Sequence, residues 1–220
     1  MSTGPLLHMD GIAMSYPGRD GDARLMVLDA LALEVAPSEL VCIAGRSGSG
    51  KTTLLNIAAG LLRPTAGEVR WGERALGELT DVEVAHLRRD HIGFVFQSGG
   101  LIPILTAAEN VALPSLPEGM DIDGRRRALM LLDLVGMADR ADHFPSQLSS
   151  GEQQRVAVAR GLYSNPPMLL VDEPTANLDR GTADGVIALL ASLRGDGRGL
   201  LVATHDQRLI DRADRVQTLE

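Results

Sequence analysis

The chain contains 220 residues and carries a formal net charge of −8; 45% of its residues are hydrophobic and 23% are charged. This composition indicates a globular protein large enough to bury a core, and it excludes wholesale disorder. The acidic balance and the scarcity of aromatic residues (three Phe, two Tyr and one Trp) argue against nucleic-acid binding and against a polybasic membrane anchor.

Short apolar runs alternate with segments of helical periodicity, which predicts an α/β protein with a largely parallel sheet. The predicted strands cover residues 12–15, 25–33, 40–44, 67–70, 92–96, 168–171, 200–204 and 215–219. The predicted helices cover residues 51–59, 82–89, 125–134, 151–162, 181–193 and 207–213. Residues 27–35 alternate apolar with small or polar side chains, as in a half-exposed antiparallel strand. Residues 98–149 are punctuated by proline and more helical. We therefore expect a helical subdomain, residues 98–165, inserted in a single domain over residues 1–220.

A phosphate-binding loop is predicted between the strand at residues 40–44 and the helix that begins at Lys51. Residues 45–52 read Gly-Arg-Ser-Gly-Ser-Gly-Lys-Thr. Glycines let successive backbone N–H groups turn toward a polyphosphate, and the helix N-terminus adds positive potential there. Lys51 would contact the outer phosphates and the Thr52 hydroxyl would ligate Mg²⁺. Lys51 is the only lysine among the 21 Lys and Arg residues, and arginine cannot replace a compact ammonium in a tight pocket.

Two carboxylates, Asp172 and Glu173, follow the apolar strand predicted at residues 168–171. They therefore lie at the carboxyl end of a buried strand, where α/β proteins place their ligands. Asp172 is a candidate for holding Mg²⁺ through its water shell. Glu173 is the better candidate for polarising an attacking water.

A third segment, residues 148–155, opens a predicted helix. Ser149 or Ser150 suits the N-cap, and Glu152 suits the first turn. From these residues alone, a well-capped helix explains the segment as well as a binding site does.

The order of these motifs resembles that in the ATP-binding subunits of ABC transporters, and the resemblance covers essentially the whole chain. Residues 45–52 are similar to the phosphate loop, residues 148–153 to the signature motif, and residues 177–179 to the D-loop of that family. Asp172 and Glu173 resemble its second metal motif. Single residues are similar to the Q-loop glutamine (Gln97), the switch histidine (His205) and the aromatic that stacks on adenine (Tyr16). Residues 94–111 look like the subgroup that serves lipoprotein release, macrolide export and cell-division complexes.

The resemblance implies a P-loop NTPase fold of the ABC ATPase type: a RecA-like core, an N-terminal antiparallel β part and a helical subdomain at residues 98–165. It implies a head-to-tail dimer of ATP-binding subunits, identical or different, that encloses two ATP molecules. In that dimer the phosphate loop of one chain faces the signature helix of the other. The further implied partner is a transmembrane permease, which would hold the chain on the cytoplasmic face of the cell membrane.

The resemblance also implies roles for individual residues. The implied catalytic residues are Glu173, His205, Lys51 and Gln97. The implied ligands of Mg²⁺ are Thr52, Gln97 and Asp172. The implied ATP contacts are Tyr16, Gly45, Arg46, Ser47, Gly48, Ser49, Gly50, Lys51, Thr52, Thr53, Ser149, Ser150, Gly151, Glu152 and Asp179. Ser150 stands where the family usually has glycine, so it either costs on the order of 1 kcal/mol in a left-handed backbone or offers its hydroxyl to the γ-phosphate.

The chain itself shows no membrane-inserting or secretory segment. Residues 1–10 lack a basic stretch followed by an apolar run. The longest uncharged run, residues 92–108, is too short and too polar to cross a bilayer. Cys42, the single cysteine, lies in an apolar run and predicts a buried thiol in a reducing compartment. We therefore expect a cytoplasmic protein that reaches the membrane only through a partner.

The leading hypothesis is a subunit that hydrolyses ATP to power a membrane transporter. An ABC-type ATPase that drives cell division or mechanotransmission is one alternative. A P-loop kinase for a small molecule is another, but it would need neither residues 148–153 nor His205. A DNA-repair or chromosome ATPase of the superfamily would carry a coiled-coil or zinc-binding insertion, whereas the interval between the phosphate loop and residue 148 is compact and lacks paired cysteines.

Overall fold

The computed structural model of the chain describes residues 4–17, 24–118 and 122–219. In these ranges the strands are β1 (Leu7–Tyr16), β2 (Leu25–Val35), β3 (Leu40–Gly45), β4 (Ala66–Trp71), β5 (Arg74–Ala75), β6 (Ile92–Val95), β7 (Met168–Asp172), β8 (Gly199–Thr204) and β9 (Arg215–Leu219). The α-helices are α1 (Lys51–Ala58), α2 (Asp81–His91), α3 (Ala107–Val111), α4 (Ile122–Leu134), α5 (Ser150–Gly161), α6 (Arg180–Leu193) and α7 (Gln207–Ile210). Short 3₁₀ turns cover Leu76–Glu78, Leu113–Glu118, Ala138–Arg140, Pro145–Gln147 and Arg194–Asp196.

A five-stranded parallel sheet with the order β6-β7-β8-β3-β9 forms the centre of the fold, which confirms the predicted α/β class. Its inner strands β7, β8 and β3 are largely apolar on both sides because both faces are covered. On β3, Leu40 and Cys42 point into one buried cluster, and Val41 and Ile43 point into the other. Burial without a nearby charge raises the pKa of the Cys42 thiol to about 12, so this cysteine packs as a small apolar residue.

The two faces of this sheet carry different layers. Residues of α3, α4, α5 and α6 share one cluster. Residues of α1 share the other cluster with a second, antiparallel sheet of order β2-β1-β4-β5. The indole N–H of the buried Trp71 on β4 donates to the carbonyl of Ala58 at 2.9 Å and so ties the end of α1 to that sheet.

Between β6 and β7 the described residues form α3, α4 and α5 and no strand. α4 and α5 are also joined by side chains. Arg155 on α5 donates to the carbonyl of Val135 at 2.9 Å, and Arg127 on α4 donates to the carbonyl of Tyr163. In the described part of the chain, no helix is long and apolar enough to span a membrane.

Several predicted element boundaries were wrong, each for a local reason. β1 begins at Leu7 rather than at residue 12, because irregular pairing around Gly11 (φ 58°) interrupts the two-residue alternation. α7 ends at Ile210, three residues early. The sequence reading missed α3 and β5, since five and two residues are too few to display a periodicity.

Candidate active site

Four neighbouring strands of the parallel sheet end at the same edge. Gln97 lies two residues beyond the end of β6, Asp172 is the last residue of β7, and Glu173 follows it. His205 follows β8, and Gly45 is the last residue of β3. Parallel pairing fixes their relative heights, because Asp172 lies opposite Ala203 and Thr204 lies opposite Ala44. Most of the predicted catalytic residues therefore share one edge of one sheet.

The loop after β3 turns through two glycines in the left-handed region, Gly48 (φ 85°) and Gly50 (φ 92°). Gly50 is also the N-cap of α1, and no side chain caps that helix. A Cβ atom at Gly50 would lie 2.9 Å from Cγ1 of Val27, so space as well as conformation requires glycine there. The first N–H groups of α1 are therefore left for another acceptor, which is the usual form of a phosphate site.

The Lys51 ammonium is buried, and each of its three protons has an acceptor. It donates to the carbonyl oxygens of Gly45 at 2.8 Å and Arg46 at 3.0 Å, and it pairs with Oε1 of Glu173 at 3.2 Å. A planar guanidinium could not direct donors to these three points. This geometry explains why a chain that otherwise uses arginine has a lysine here.

Glu173 connects the lysine to the histidine. Its second carboxylate oxygen lies 2.9 Å from Nδ1 of His205 and accepts the His205 backbone N–H at 3.4 Å. Its own backbone N–H donates to the carbonyl of Ala203 at 2.8 Å. The backbone of Glu173 is left-handed (φ 43°), a conformation that costs about 1–3 kcal/mol for a non-glycine residue and is found mainly at functional sites.

The neighbouring carboxylate, Asp172, fits a divalent cation. Its Oδ2 accepts the hydroxyl of Thr52 at 2.9 Å, while its buried Oδ1 has no hydrogen-bond partner. Burial raises the pKa of Asp172, and the hydrogen bond from Thr52 opposes that change only in part. A hard cation at Oδ1 would satisfy the unpaired oxygen and offset the buried charge. Among the described residues, no group of three His, Cys, Asp or Glu side chains could hold a metal, so such an ion would need further oxygen ligands.

The segment resembling the signature motif lies on a different layer from the phosphate loop. Ser149 is the N-cap of α5, and its hydroxyl and Glu152 form a reciprocal capping box that lowers the pKa of the Glu152 carboxyl. Ser150 is the first residue of α5 and is not left-handed, so the expected backbone cost at this position is absent. Gly151 packs so closely on α6 that a Cβ would lie 1.9 Å from Cγ2 of Thr182. α5 and α1 belong to opposite faces of the parallel sheet.

Of the remaining predicted residues, Asp179 and Tyr16 belong to elements outside the Lys51 cluster, whereas the others lie in the loops at its edge or at the start of α1. Asp179 is the N-cap of α6 and accepts the Thr182 hydroxyl at 2.6 Å. Tyr16 ends β1 in the antiparallel sheet and is 37% exposed. Gln97 is exposed in the turn after β6. Arg46, Ser47 and Thr52 are exposed around the loop, and Thr53 and Ser49 are half-buried; the buried Ser49 hydroxyl oxygen has no partner.

Two further groups around the site escaped the sequence reading. Arg160 is buried on α5 and donates to the turn that contains Gln97. Its signal was a single cation in the otherwise apolar or small residues 156–162. Asp206, next to His205, is paired with Arg208, which lowers the Asp206 pKa to about 2. No local pattern could show that Arg208 also reaches Asp184 on α6.

Comparisons with known proteins agree with this arrangement. The family model described as ABC transporter matches residues 28–176. The chain is 46% identical to the lipoprotein-releasing system ATP-binding protein LolD 1 of Rhodospirillum rubrum, over 97% of this chain and 94% of that protein. It is 44% identical to the macrolide export ATP-binding/permease protein MacB of Burkholderia thailandensis, over 96% of this chain and 32% of that protein.

A solved structure has the same fold. The ATP-binding cassette MJ0796, a dimer in a post-hydrolysis state bound to ADP and Pi, matches with a TM-score of 0.89 and 40% sequence identity. The match covers 97% of this chain and 94% of that chain. The chain therefore belongs to the ABC transporter family, as one of its ATP-hydrolysing subunits.

Proposed function

We propose that the residues assembled around Lys51 bind and hydrolyse MgATP, and that two ATP-binding subunits share each reaction. The observation that carries this proposal is the contact of Lys51 with Glu173 and of Glu173 with His205. Three separate elements contribute these side chains, and a chain folded only for stability gains little from burying a strained glutamate against a lysine.

ATP binding would change the partners of Lys51. The triphosphate is held by the first N–H groups of α1 and by the Lys51 ammonium, which then faces phosphate oxygens rather than Glu173 alone. Thr52 and Asp172, with Gln97 from the adjacent strand end, would hold Mg²⁺. Bound there, the ion would offset the negative charge of the phosphates.

Glu173 is the proposed general base. It would accept a proton from the water whose oxygen bonds to the γ-phosphorus while the bond to the ADP oxygen breaks. His205, 2.9 Å from the same carboxylate, would orient Glu173 and contact the γ-phosphate. The products are ADP and inorganic phosphate.

A second subunit would complete each site. The N–H groups at the start of α5 belong to the layer opposite α1, so within one chain they are not available to the phosphates held by α1. In a head-to-tail pair, Ser149, Ser150 and Gly151 of one copy would face the γ-phosphate of the other, with Asp179 nearby. The dimeric state of the related cassette MJ0796 supports this arrangement. We interpret residues 98–165 as the helical subdomain that carries this surface.

The work would be done on a membrane permease. LolD 1 and MacB are named for lipoprotein release and macrolide export, and we propose a task of this class for the present chain on the cytoplasmic face of the membrane. Large apolar side chains flank the Gln97 turn, with Phe96 44% and Ile104 81% exposed. They offer the permease a contact close to the nucleotide.

The decisive experiment is Glu173→Gln. Glutamine keeps the size of the side chain but cannot accept the proton, so we expect ATP turnover to fall by at least about 100-fold while ATP still binds. ATP-stabilised dimers should then accumulate in gel filtration. Glu83→Gln, in the exposed capping box of α2, is the matched control and should retain turnover. Turnover near the wild-type rate in Glu173→Gln would refute the assignment of the base.

A further inference from the structure

Arg160 is a buried cation whose partners are all neutral. Its side chain lies near the end of α5, and the residue is 9% exposed. Nη1 donates to the carbonyl of Gly100 at 2.6 Å and Nη2 donates to the carbonyl of Gly99 at 2.5 Å. No carboxylate in the described part of the chain pairs with it. Burying a charge without a countercharge costs folding free energy, and an apolar residue would pack here at lower cost. An arginine at this position therefore indicates that its two hydrogen bonds have a role other than stability.

The carbonyls that Arg160 holds belong to a turn that only glycine forms easily. Gly99 (φ 70°) and Gly100 (φ 58°) are both left-handed, and the Gly99 N–H closes the turn onto the carbonyl of Phe96 at 2.9 Å. Gln97 lies inside this turn. A fork of two parallel donors fixes both position and orientation of the turn, which a single donor could not do.

The other end of α5 is the proposed contact to the partner's nucleotide. Ser149 caps α5, and the 11 residues from Ser150 to Arg160 span about 15 Å of continuous helix from first to last Cα. A helix of that length moves as one rigid element. Whatever shifts the Gln97 turn would therefore shift the Ser149 end, provided that Arg160 holds the turn to α5.

We propose that Arg160 is a positioning residue that fastens the Gln97 turn to α5, so that the turn and the Ser149 end of α5 respond to ATP as one body. This inference rests on the role proposed above for Gln97. Arg160 itself would contact neither the nucleotide nor the attacking water. Its effect on turnover passes entirely through the position of the turn.

A double-mutant cycle between Arg160 and Gln97 tests this in the full chain. Arg160→Lys keeps the charge but replaces the two-pronged donor by one ammonium, and we expect kcat to fall about 3- to 30-fold with little change in KM for ATP. Gln97→Ala should also lower kcat. In the Gln97→Ala background, Arg160→Lys should lower kcat by less than about twofold, because the turn then carries nothing to position.

Arg155→Lys is the matched control on the same helix. Arg155 also donates to a backbone carbonyl, that of Val135, but it holds α4 rather than the turn. Its effect on kcat should be the same with and without Gln97→Ala. Amide hydrogen exchange supplies a second readout: residues 97–100 should exchange faster in Arg160→Lys, while residues 45–50 should not change. If Arg160→Lys does not fold, Arg160→Gln takes its place in both measurements.

Two failures can be told apart. If Gln97→Ala leaves kcat unchanged, the proposed role of Gln97 is wrong and the inference about Arg160 falls with it. If Gln97→Ala slows turnover and Arg160→Lys slows it by the same further factor, Gln97 keeps its role and Arg160 is only a packing residue. Unchanged amide exchange at residues 97–100 would also overturn the inference.

Discussion

Two adjacent residues at the edge of the parallel sheet have features that lower the stability of the fold. Glu173 combines a left-handed backbone with a buried ion pair, and Asp172 beside it has a buried oxygen without a partner. Each of these features opposes stability. Their occurrence together beside Lys51 and His205 is the pattern expected where stability is given up for catalysis.

The negative charge of Asp206 should stabilise the folded chain at neutral pH and lose this effect at acid pH. Arg208 and the backbone N–H that Asp206 accepts lower its pKa from 3.8 to about 2 in the folded state. Because the folded value is depressed, the stabilisation is complete above pH 4 and is lost as the pH falls from about 4 toward 2. Asp206→Asn preserves the cap of α7 and should lower the free energy of unfolding by about 1–2 kcal/mol at pH 7.

Urea unfolding of wild type and Asp206→Asn at pH 7 and pH 3 measures this effect. At pH 3 the difference between the two proteins should shrink to roughly half. Asp133→Asn, at an exposed position of α4, is the control and should change stability by less than about 0.5 kcal/mol at either pH. A difference that stays constant between the two pH values would contradict the assignment.

The sequence suggests candidate site residues where they are contiguous, and it does not show contacts between residues that are far apart in the chain. The loop at residues 45–52 could be assigned because its glycines, lysine and threonine are adjacent in the chain and follow a strand. The contact of Lys51 with Glu173 joins residues that are far apart in sequence, and no spacing rule encodes it. Arg160 shows the same limit, since its carbonyl partners carry no side-chain signal at all.

At the scale of elements, α5 has the most constraints. A capping box spans its first turn, its middle packs on β6 and α4, and its last turn holds the Gln97 turn through Arg160. Periodicity predicted α5, α6 and the parallel strands to within a few residues, because each has an extended buried face. The same reasoning failed for α3, whose identity depends on a capping box between Thr106 and Glu109 rather than on length.

The close packing of α5 on α6 predicts that Gly151→Ala destabilises the protein and that a second substitution, Thr182→Ser, restores its stability. In Gly151→Ala the new methyl would overlap Cγ2 of Thr182, so the free energy of unfolding should fall by about 1–3 kcal/mol despite the better helix propensity of alanine. Adding Thr182→Ser removes that methyl but keeps the hydroxyl bonded to Asp179, and it should restore most of the loss. Thermal and urea unfolding of the single and double variants provide the test.

Gly77→Ala is the control for this pair. Gly77 lies in a surface turn and a Cβ there would meet no atom within 4 Å, so its stability should change by less than about 0.5 kcal/mol. If Gly151→Ala were as stable as wild type, the close packing of α5 on α6 would be incorrect. If Thr182→Ser did not restore the stability of Gly151→Ala, the new methyl would clash with an atom other than Cγ2 of Thr182.

At the scale of the whole molecule, the two layers on the parallel sheet separate the halves of the proposed site. The phosphate loop leads into α1 on one face, and the Ser149 end of α5 belongs to the other. In a symmetric pair of chains, a two-fold axis would bring the phosphate loop of each copy to the Ser149 end of α5 in the other copy. Two complete sites would then form. The fold class could be predicted from the sequence, whereas this division could be recognised only once the sheet order had placed α1 and α5.

A tandem protein, in which a flexible linker joins two copies of the chain, tests whether each ATP site is formed by two chains or by one. Lys51→Ala disables a phosphate loop, and Ser150→Asp puts a negative charge where the γ-phosphate of the partner would lie. Aspartate is well tolerated in the first turn of a helix, so the fold should survive this change. If the sites are shared, one substitution in each copy places both defects in the same site and leaves the other intact. That tandem protein should hydrolyse ATP at about half the wild-type rate.

Placing both substitutions in one copy reverses the expectation. Each shared site then has one defect, and ATP turnover should fall to background. Sites contained within single chains would give the opposite ranking: the copy without substitutions would work alone, and the protein with one substitution in each copy would be inactive. The order of the two rates, measured by phosphate release from otherwise identical tandem proteins, therefore decides whether the Ser150 end of α5 acts on its own chain or on its partner.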